Sequence, residues 1–258
     1  MLSSLVRFLR PIRYRLHAYT YRRHPASPRL AQLQGAARGS PILIVGNGPS
    51  LNATPLDDFA HLPAIGMNKI DLLFPRVRWR PRLIVCVNDI VVMQHHAEFA
   101  RSNIPVFLSW KSRRRMPRES ASKVEYFLTL PTPVFSTDIT RGVGFGATVT
   151  YTALQFAYFM EADPVILFGV DHNFAVAGTA NEIARRKGAD VNHFDPNYFR
   201  AGSLWGLPDL PGSEAVYVLA RRAFEAAGRR VLDATVGGKL DVYPKISLDE
   251  AREIAHGA

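Results

Sequence analysis

PILIVGNGPSL, residues 41–51, runs four apolar residues into two glycines, an asparagine and a proline. So short a run, rich in branched residues and stopped by turn formers, reads as a strand buried on both faces, the kind found in parallel sheets. The turn leaves the strand's carboxyl end, where open α/β sheets bind ligands. Its glycines let a backbone approach a phosphate or ribose, and Asn47 offers both a donor and an acceptor. A tight turn alone accounts for Gly46, Gly48 and Pro49, but less well for the polar Asn47. Gly46, Asn47, Gly48 and Ser50 are therefore expected to hold a nucleotide. The stretch is neither the dinucleotide fingerprint, which needs a third glycine, nor a P-loop, which needs a following Lys-Ser/Thr.

Working outward, short apolar runs alternate with periodic stretches, the pattern of a mainly parallel, Rossmann-like α/β sheet flanked by helices. Strands are expected at residues 42–45, 64–67, 82–87, 105–108, 126–128, 165–168 and 230–232. One helix is expected to begin near Ala147 and end before Pro164. A second is expected near Ser213 with Gly228 as its stop, and Ser247 with Glu250 reads as a capping box for a last short helix. Periodicity disappears between Asp171 and Gly212, which marks residues 172–212 as an irregular insertion, expected to be a lid. The 258 residues, 47% hydrophobic and 21% charged, suit one domain over residues 41–258 with no low-complexity segment.

The net charge of +10 is concentrated at the N-terminus, where eight arginines precede the first acidic residue, Asp57. Within residues 1–40, Leu2, Leu5, Val6, Leu9, Ile12, Leu16 and Tyr19 recur at helical spacing, setting an apolar stripe beside an arginine face. Such a helix fits an anionic membrane surface, its own domain, or a mitochondrial presequence. No apolar run approaches the ~20 residues of a spanning helix, and the arginines leave no room for a secretory signal. The lone cysteine, Cys86, sits in an apolar run. A cytoplasmic protein, peripheral on the inner membrane face, is expected. Arg113-Arg114-Arg115 lacks the aromatic interleaving of single-strand grooves, so no nucleic-acid partner is expected.

Asn68 and Asn88 also follow apolar strands, and in a parallel sheet they would converge with Asn47 on one crevice. Neutral amides suit a nucleotide's sugar and phosphates without a metal, and no cofactor is required on this reading. Asp89 and Asp171 stand at strand ends too. They fit either Mg²⁺ against a pyrophosphate or the capping of the next segment. His95 and His96 read as a surface pair on a helix. His193 lies in the lid among polar and aromatic residues, and imidazole ordinarily titrates near neutrality, which suits a general base. Arg141, in the loop before the Ala147 helix, faces donor negative charge or solvent.

These motifs in this order resemble, across residues 41–235, the bacterial sialyltransferases related to the Campylobacter lipooligosaccharide enzymes. The resemblance implies a CMP-activated donor sugar, inverting metal-independent transfer, Thr140 and its loop on the donor's phosphate side, and His193 as base. The chain departs from that family at Arg141, where the family has serine, and at His172-Asn173-Phe174, where lid tyrosines would stand. GNGPSL, Asp89, residues 150–174 and the closing Asp233–Pro244 are also similar to the MptE-like superfamily of pterin diphosphokinases and flagellar glycosylation accessory factors. The expectation is a glycosyltransferase of lipopolysaccharide or capsule synthesis, moving a CMP-linked sugar to a glycan or lipid-linked acceptor. The alternatives are a diphosphokinase using ATP and Mg²⁺, and a nucleotide-binding accessory protein without catalysis.

Overall fold

A computed structural model describes residues 14–23, 28–175 and 178–257. In chain order its strands are β1 (Ile42–Val45), β2 (Ala64–Met67), β3 (Leu83–Cys86), β4 (Val106–Ser109), β5 (Glu125–Phe127), β6 (Val165–Phe168), β7 (Ile183–Arg185), β8 (Leu204–Gly206) and β9 (Val231–Asp233). Seven of them form one sheet in the order β5-β4-β3-β2-β1-β6-β9, with every neighbouring pair parallel. The chain steps outward from β1 to β5, then crosses back to lay β6 on the other side of β1. The order therefore reverses between β1 and β6, the place where α/β sheets open a ligand crevice.

Apolar continuity along the strands follows from burial on both faces. On one face Ile42, Ile44, Ile65, Val85 and Phe107 pack with the helices Val149–Phe159 and Leu210–Ala226. On the other, Leu43, Val45, Ile84, Cys86 and Phe168 meet Val91, Val92 and Phe99 of the helix Asp89–Arg101 and Ala251 and Ala255 of Leu248–His256. The expected Rossmann-like sheet is present, with strand ends within one or two residues of those read from sequence. Gly228 follows Leu210–Ala226 at φ 67°, a left-handed stop that glycine adopts without strain. Ser247 and Glu250 form the expected capping box.

Among the described residues of 172–209 the chain is irregular apart from β7 and β8, an antiparallel pair that the sequence did not signal, and residues 210–212 of the expected insertion instead open the helix Leu210–Ala226. This segment crosses the carboxyl ends of the sheet and is fastened there. Phe194 N–H donates to the Asn47 carbonyl at 3.0 Å, Lys69 Nζ to the Tyr198 carbonyl at 2.8 Å, and Gln94 Nε2 to the Leu204 carbonyl at 2.8 Å. The segment's own Phe194, Tyr198, Phe199 and Trp205 are buried.

His95 differs from its sequence reading: it is buried, with Nε2 at 2.8 Å from both Asp71 carboxylate oxygens and its ring edge-on to Phe99. The carboxylate satisfies the ring where the apolar neighbours cannot. Of the expected N-terminal helix, residues 14–22 are helical, while Leu2, Leu5, Val6, Leu9 and Ile12 lie outside the described residues. Among the described residues no helix is long and apolar enough to cross a membrane.

Candidate active site

The carboxyl ends of β1, β2, β3 and β6 open into a cavity of about 390 Å³, within the ~300–1,000 Å³ usual for small-molecule sites. Gly46, Asn47, Gly48, Asn68, Asn88, Asp171 and His193 all line it. Ser50, Asp89, Thr140 and Arg141 are not part of the lining. Ser50 sits behind the turn, where its N–H and hydroxyl donate to Asp171 at 3.0 and 2.6 Å. Asp89 is engaged by Lys111 at 2.8 Å and by the Ser112 hydroxyl at 2.7 Å. Asp171 and Asp89 are thus not presented together to one ligand. Arg141 is exposed, and Thr140 turns back to donate to Asp138.

The glycines of the first turn serve a close approach of two loops. A Cβ on Gly46 would overlap the Gly169 carbonyl, and one on Gly48 would overlap the Asp171 carboxylate. Burial raises the pKa of Asp171, and the Ser50 hydrogen bonds only partly offset that.

Four amides at the cavity fall into two kinds, one already partnered and three with an unpartnered polar atom. Asn88 caps the helix Asp89–Arg101, its side-chain oxygen accepting from Ile90 N–H at 2.9 Å. Asn47 is buried with its Oδ1 unpartnered, and Asn68, held at φ 50°, also has an unpartnered Oδ1. Asn192, from the 172–212 segment, is 3% exposed and lines the same cavity with its Nδ2 unpartnered. A buried polar atom without a partner costs roughly 1–3 kcal/mol, so these atoms point to a ligand that completes them.

Opposite stands the N-terminus of Val149–Phe159. Gly144 to Thr150 all line the cavity, Thr148 caps the helix, and its first turn has no acidic residue. The N-terminal ends of Asp89–Arg101 and Leu210–Ala226 reach the cavity as well, through Asn88 and through Asp209 and Leu210. The latter two ends are occupied by the Asn88 and Asp209 caps and carry a carboxylate, so the aligned peptide dipoles of Val149–Phe159 are the ones that favour an anion.

His193 Nδ1 lies 2.8 Å from Asp190 Oδ2, and its ring stacks on Tyr198 with 4.0 Å between centroids and 1° between planes. The Asp190 side chain is fully buried and also accepts from Asn192 N–H at 3.0 Å, Phe199 N–H at 3.2 Å and Arg186 at 3.2 Å. Burial would raise this carboxyl, but His193, the Asn192 N–H and Arg186 outweigh it and hold its pKa below the ordinary carboxylate value. An ionised Asp190 accepts Nδ1–H and leaves the Nε2 lone pair of His193 for a ligand proton. Beneath the segment, Lys69 is buried over the Phe199 ring at 4.7 Å, and desolvation lowers its pKa to about 8.

Sequence reasoning missed Asp190, Asn192, Tyr198 and Thr148. Asp190 and His193 stand three apart, but without a regular element that spacing says nothing about which side chains meet.

No protein-family model matches the sequence, and no curated protein matches it. Among solved structures the chain is similar to the MAf glycosyltransferase from Magnetospirillum magneticum AMB-1, at 17% identity and a TM-score of 0.51, over 87% of this chain and 37% of that one. The chain thus spans well under half the length of that protein. A mammalian sialyltransferase in complex with Gal-beta-1-3GalNAc-ortho-nitrophenol aligns at 12% identity and a TM-score of 0.34, over 88% of this chain and 86% of that one. At 17% identity the likeness to the MAf glycosyltransferase is one of fold.

Proposed function

We propose that this chain is a glycosyltransferase that moves a sugar from a nucleotide donor, CMP-linked, to an acceptor hydroxyl on a surface glycan or its lipid-linked precursor. The observation that carries the reading is the Asp190–His193 pair, whose histidine lines a cavity at the β1/β6 reversal that a helix N-terminus also lines. The fold likeness to a glycosyltransferase and the sialyltransferase-like and MptE-like order of motifs support it.

In this mechanism Nε2 of His193 removes the acceptor proton as the acceptor oxygen bonds to the anomeric carbon. The bond from that carbon to the donor phosphate oxygen breaks, and the nucleotide leaves with the electron pair. Asp190 holds Nδ1–H and faces the positive charge that forms on the ring, while Tyr198 keeps the ring plane fixed. Charge growing on the departing phosphate is met by N–H groups at the start of Val149–Phe159. Asn47, Asn68 and Asn88 hold the nucleotide, and residues 172–212 keep water from the donor.

The test is a thermal-shift and turnover screen of CMP-, UDP- and GDP-sugars and ATP, each with Mg²⁺ and with EDTA. A CMP-sugar that raises the midpoint and releases CMP in EDTA supports the proposal, with His193→Ala losing turnover but keeping the midpoint shift. Preference for ATP with Mg²⁺ overturns it in favour of diphosphoryl transfer. Nucleotide binding without turnover of any donor overturns it in favour of an accessory protein.

A further inference from the structure

The two described members of the expected N-terminal apolar stripe, Leu16 and Tyr19, face away from the domain. Across residues 14–22 the side turned to the domain is formed by Ala18, which is buried, with Thr20 and Tyr21. Trp110 Nε1 donates to the Thr20 hydroxyl at 3.0 Å, the Tyr21 ring meets Trp110 edge-on at 5.7 Å, and the Tyr21 hydroxyl donates to the Tyr126 carbonyl at 3.3 Å. These contacts fix the rotation of the helix. They leave Leu16 and Tyr19, the described members of the stripe, each 52% exposed.

Positive charge surrounds that stripe. Arg15 and Arg22 are exposed on the helix, Arg23 just after it lies over the Tyr19 ring at 4.3 Å, and the turn Trp110–Arg115 beside the helix carries Arg113 over the Trp110 ring at 4.1 Å, with Arg114 and Arg115 exposed. No acidic residue occurs in residues 14–23 or 110–118, and none of Arg15, Arg22, Arg114 and Arg115 forms an ion pair among the described residues. Outward apolar side chains, Leu16 and Tyr19, set among arginines without ion pairs match the physics of a helix lying in a membrane interface, where apolar side chains enter the acyl boundary and guanidinium groups meet anionic headgroups.

We propose that this face, built jointly from residues 14–23 and the Arg113–Arg115 turn, docks the protein on an anionic membrane surface. The inference does not depend on the chemistry in the cavity, since none of its residues lines it.

The experiment is co-sedimentation of the full chain with vesicles of phosphatidylcholine alone or with about one-third phosphatidylglycerol, at low and high salt. Binding is expected to the anionic vesicles only, weakening as salt rises. Arg114→Glu/Arg115→Glu should lower vesicle affinity at least about tenfold, and Leu16→Ser/Tyr19→Ser should lower it while leaving the salt dependence. An unchanged thermal midpoint shows that each variant is folded. No preference for anionic vesicles, or equal binding by folded variants, overturns the proposal. So does a wild-type dimer that these variants dissociate, which would assign the face to a second copy. Binding of single-stranded RNA in fluorescence anisotropy without vesicle binding would overturn it in favour of nucleic acid.

Discussion

Asp190 holds four donors with one carboxylate, and the consequence for His193 is a fixed tautomer. An amide at position 190 keeps the size and most of the packing but can turn its NH₂ toward Nδ1, which moves the proton to Nε2 and blocks the base. Asp190→Asn is therefore expected to lower kcat on the order of 10²–10⁴-fold with KM little changed. A merely structural Asp190 would instead show a lowered thermal midpoint with kcat intact in the folded fraction. Kinetics beside calorimetry separate the two. Asn88 supports a second division of roles. Its Oδ1 caps Asp89–Arg101 while the residue also lines the cavity. Asn88→Asp retains the cap and adds a charge that the helix dipole favours, whereas Asn88→Ala loses about 1 kcal/mol. If the amide also serves the nucleotide, Asn88→Asp keeps its stability and loses nucleotide affinity, measurable by titration calorimetry. Unchanged affinity in Asn88→Asp would leave Asn88 a cap alone.

Among the elements, the contact between the turn after β1 and the turn after β6 shapes the crevice. Gly46 and Gly48 face different obstacles there: a backbone carbonyl at Gly169 and a side-chain carboxylate at Asp171. Gly48→Ala is expected to cost about 1–3 kcal/mol by overpacking. Asp171→Ala should cost about as much, because Ser50 loses its acceptor. In the double variant the overlap is gone, so the two losses should sum to less than their separate values in urea titration. Gly46→Ala has no such partner, because the Gly169 carbonyl is held by Gly48 N–H at 2.9 Å. Additive losses for Gly48→Ala and Asp171→Ala would show that the turn yields elsewhere.

What the sequence disclosed at this scale follows from continuity. β1, β2, β3 and β6 are apolar on both faces and stopped by glycine or asparagine, so their existence and their ligand-bearing ends were legible in PILIVGN, AIGMN, LIVCVN and VILFG. β7 was not, being three residues long with Ile183 61% exposed. The Asp190–His193 pair was half legible. The histidine has recognisable chemistry, but its carboxylate partner is chosen by coil geometry that no periodicity encodes.

For the whole molecule, the question is what holds residues 172–212 over the strand ends, and Lys69 is the principal ionisable link. Its Nζ donates to the Tyr198 carbonyl and to Gln94 Oε1 at 3.2 Å, beneath rings that exclude water. Desolvation lowers its folded pKa to about 8, whereas an unfolded lysine titrates near ~10.4. Between those values the unfolded chain binds more protons than the folded one. The Lys69 contribution to stability therefore rises with pH from about 8, is complete above ~10.4, and is lost as pH falls through about 8. Buried tyrosines act oppositely, since burial raises Tyr126 and Tyr151 above 10, so stability falls once unfolded tyrosines ionise. The lysine contribution is isolated by difference, using urea unfolding of the wild type and Lys69→Met from pH 7 to 10. The wild type should gain stability relative to Lys69→Met across pH 8–10. Hydrogen exchange in residues 194–205 should quicken in Lys69→Met, because the Tyr198 carbonyl loses its donor. Parallel stability curves would mean that Lys69 titrates normally and does not tie the segment to the sheet.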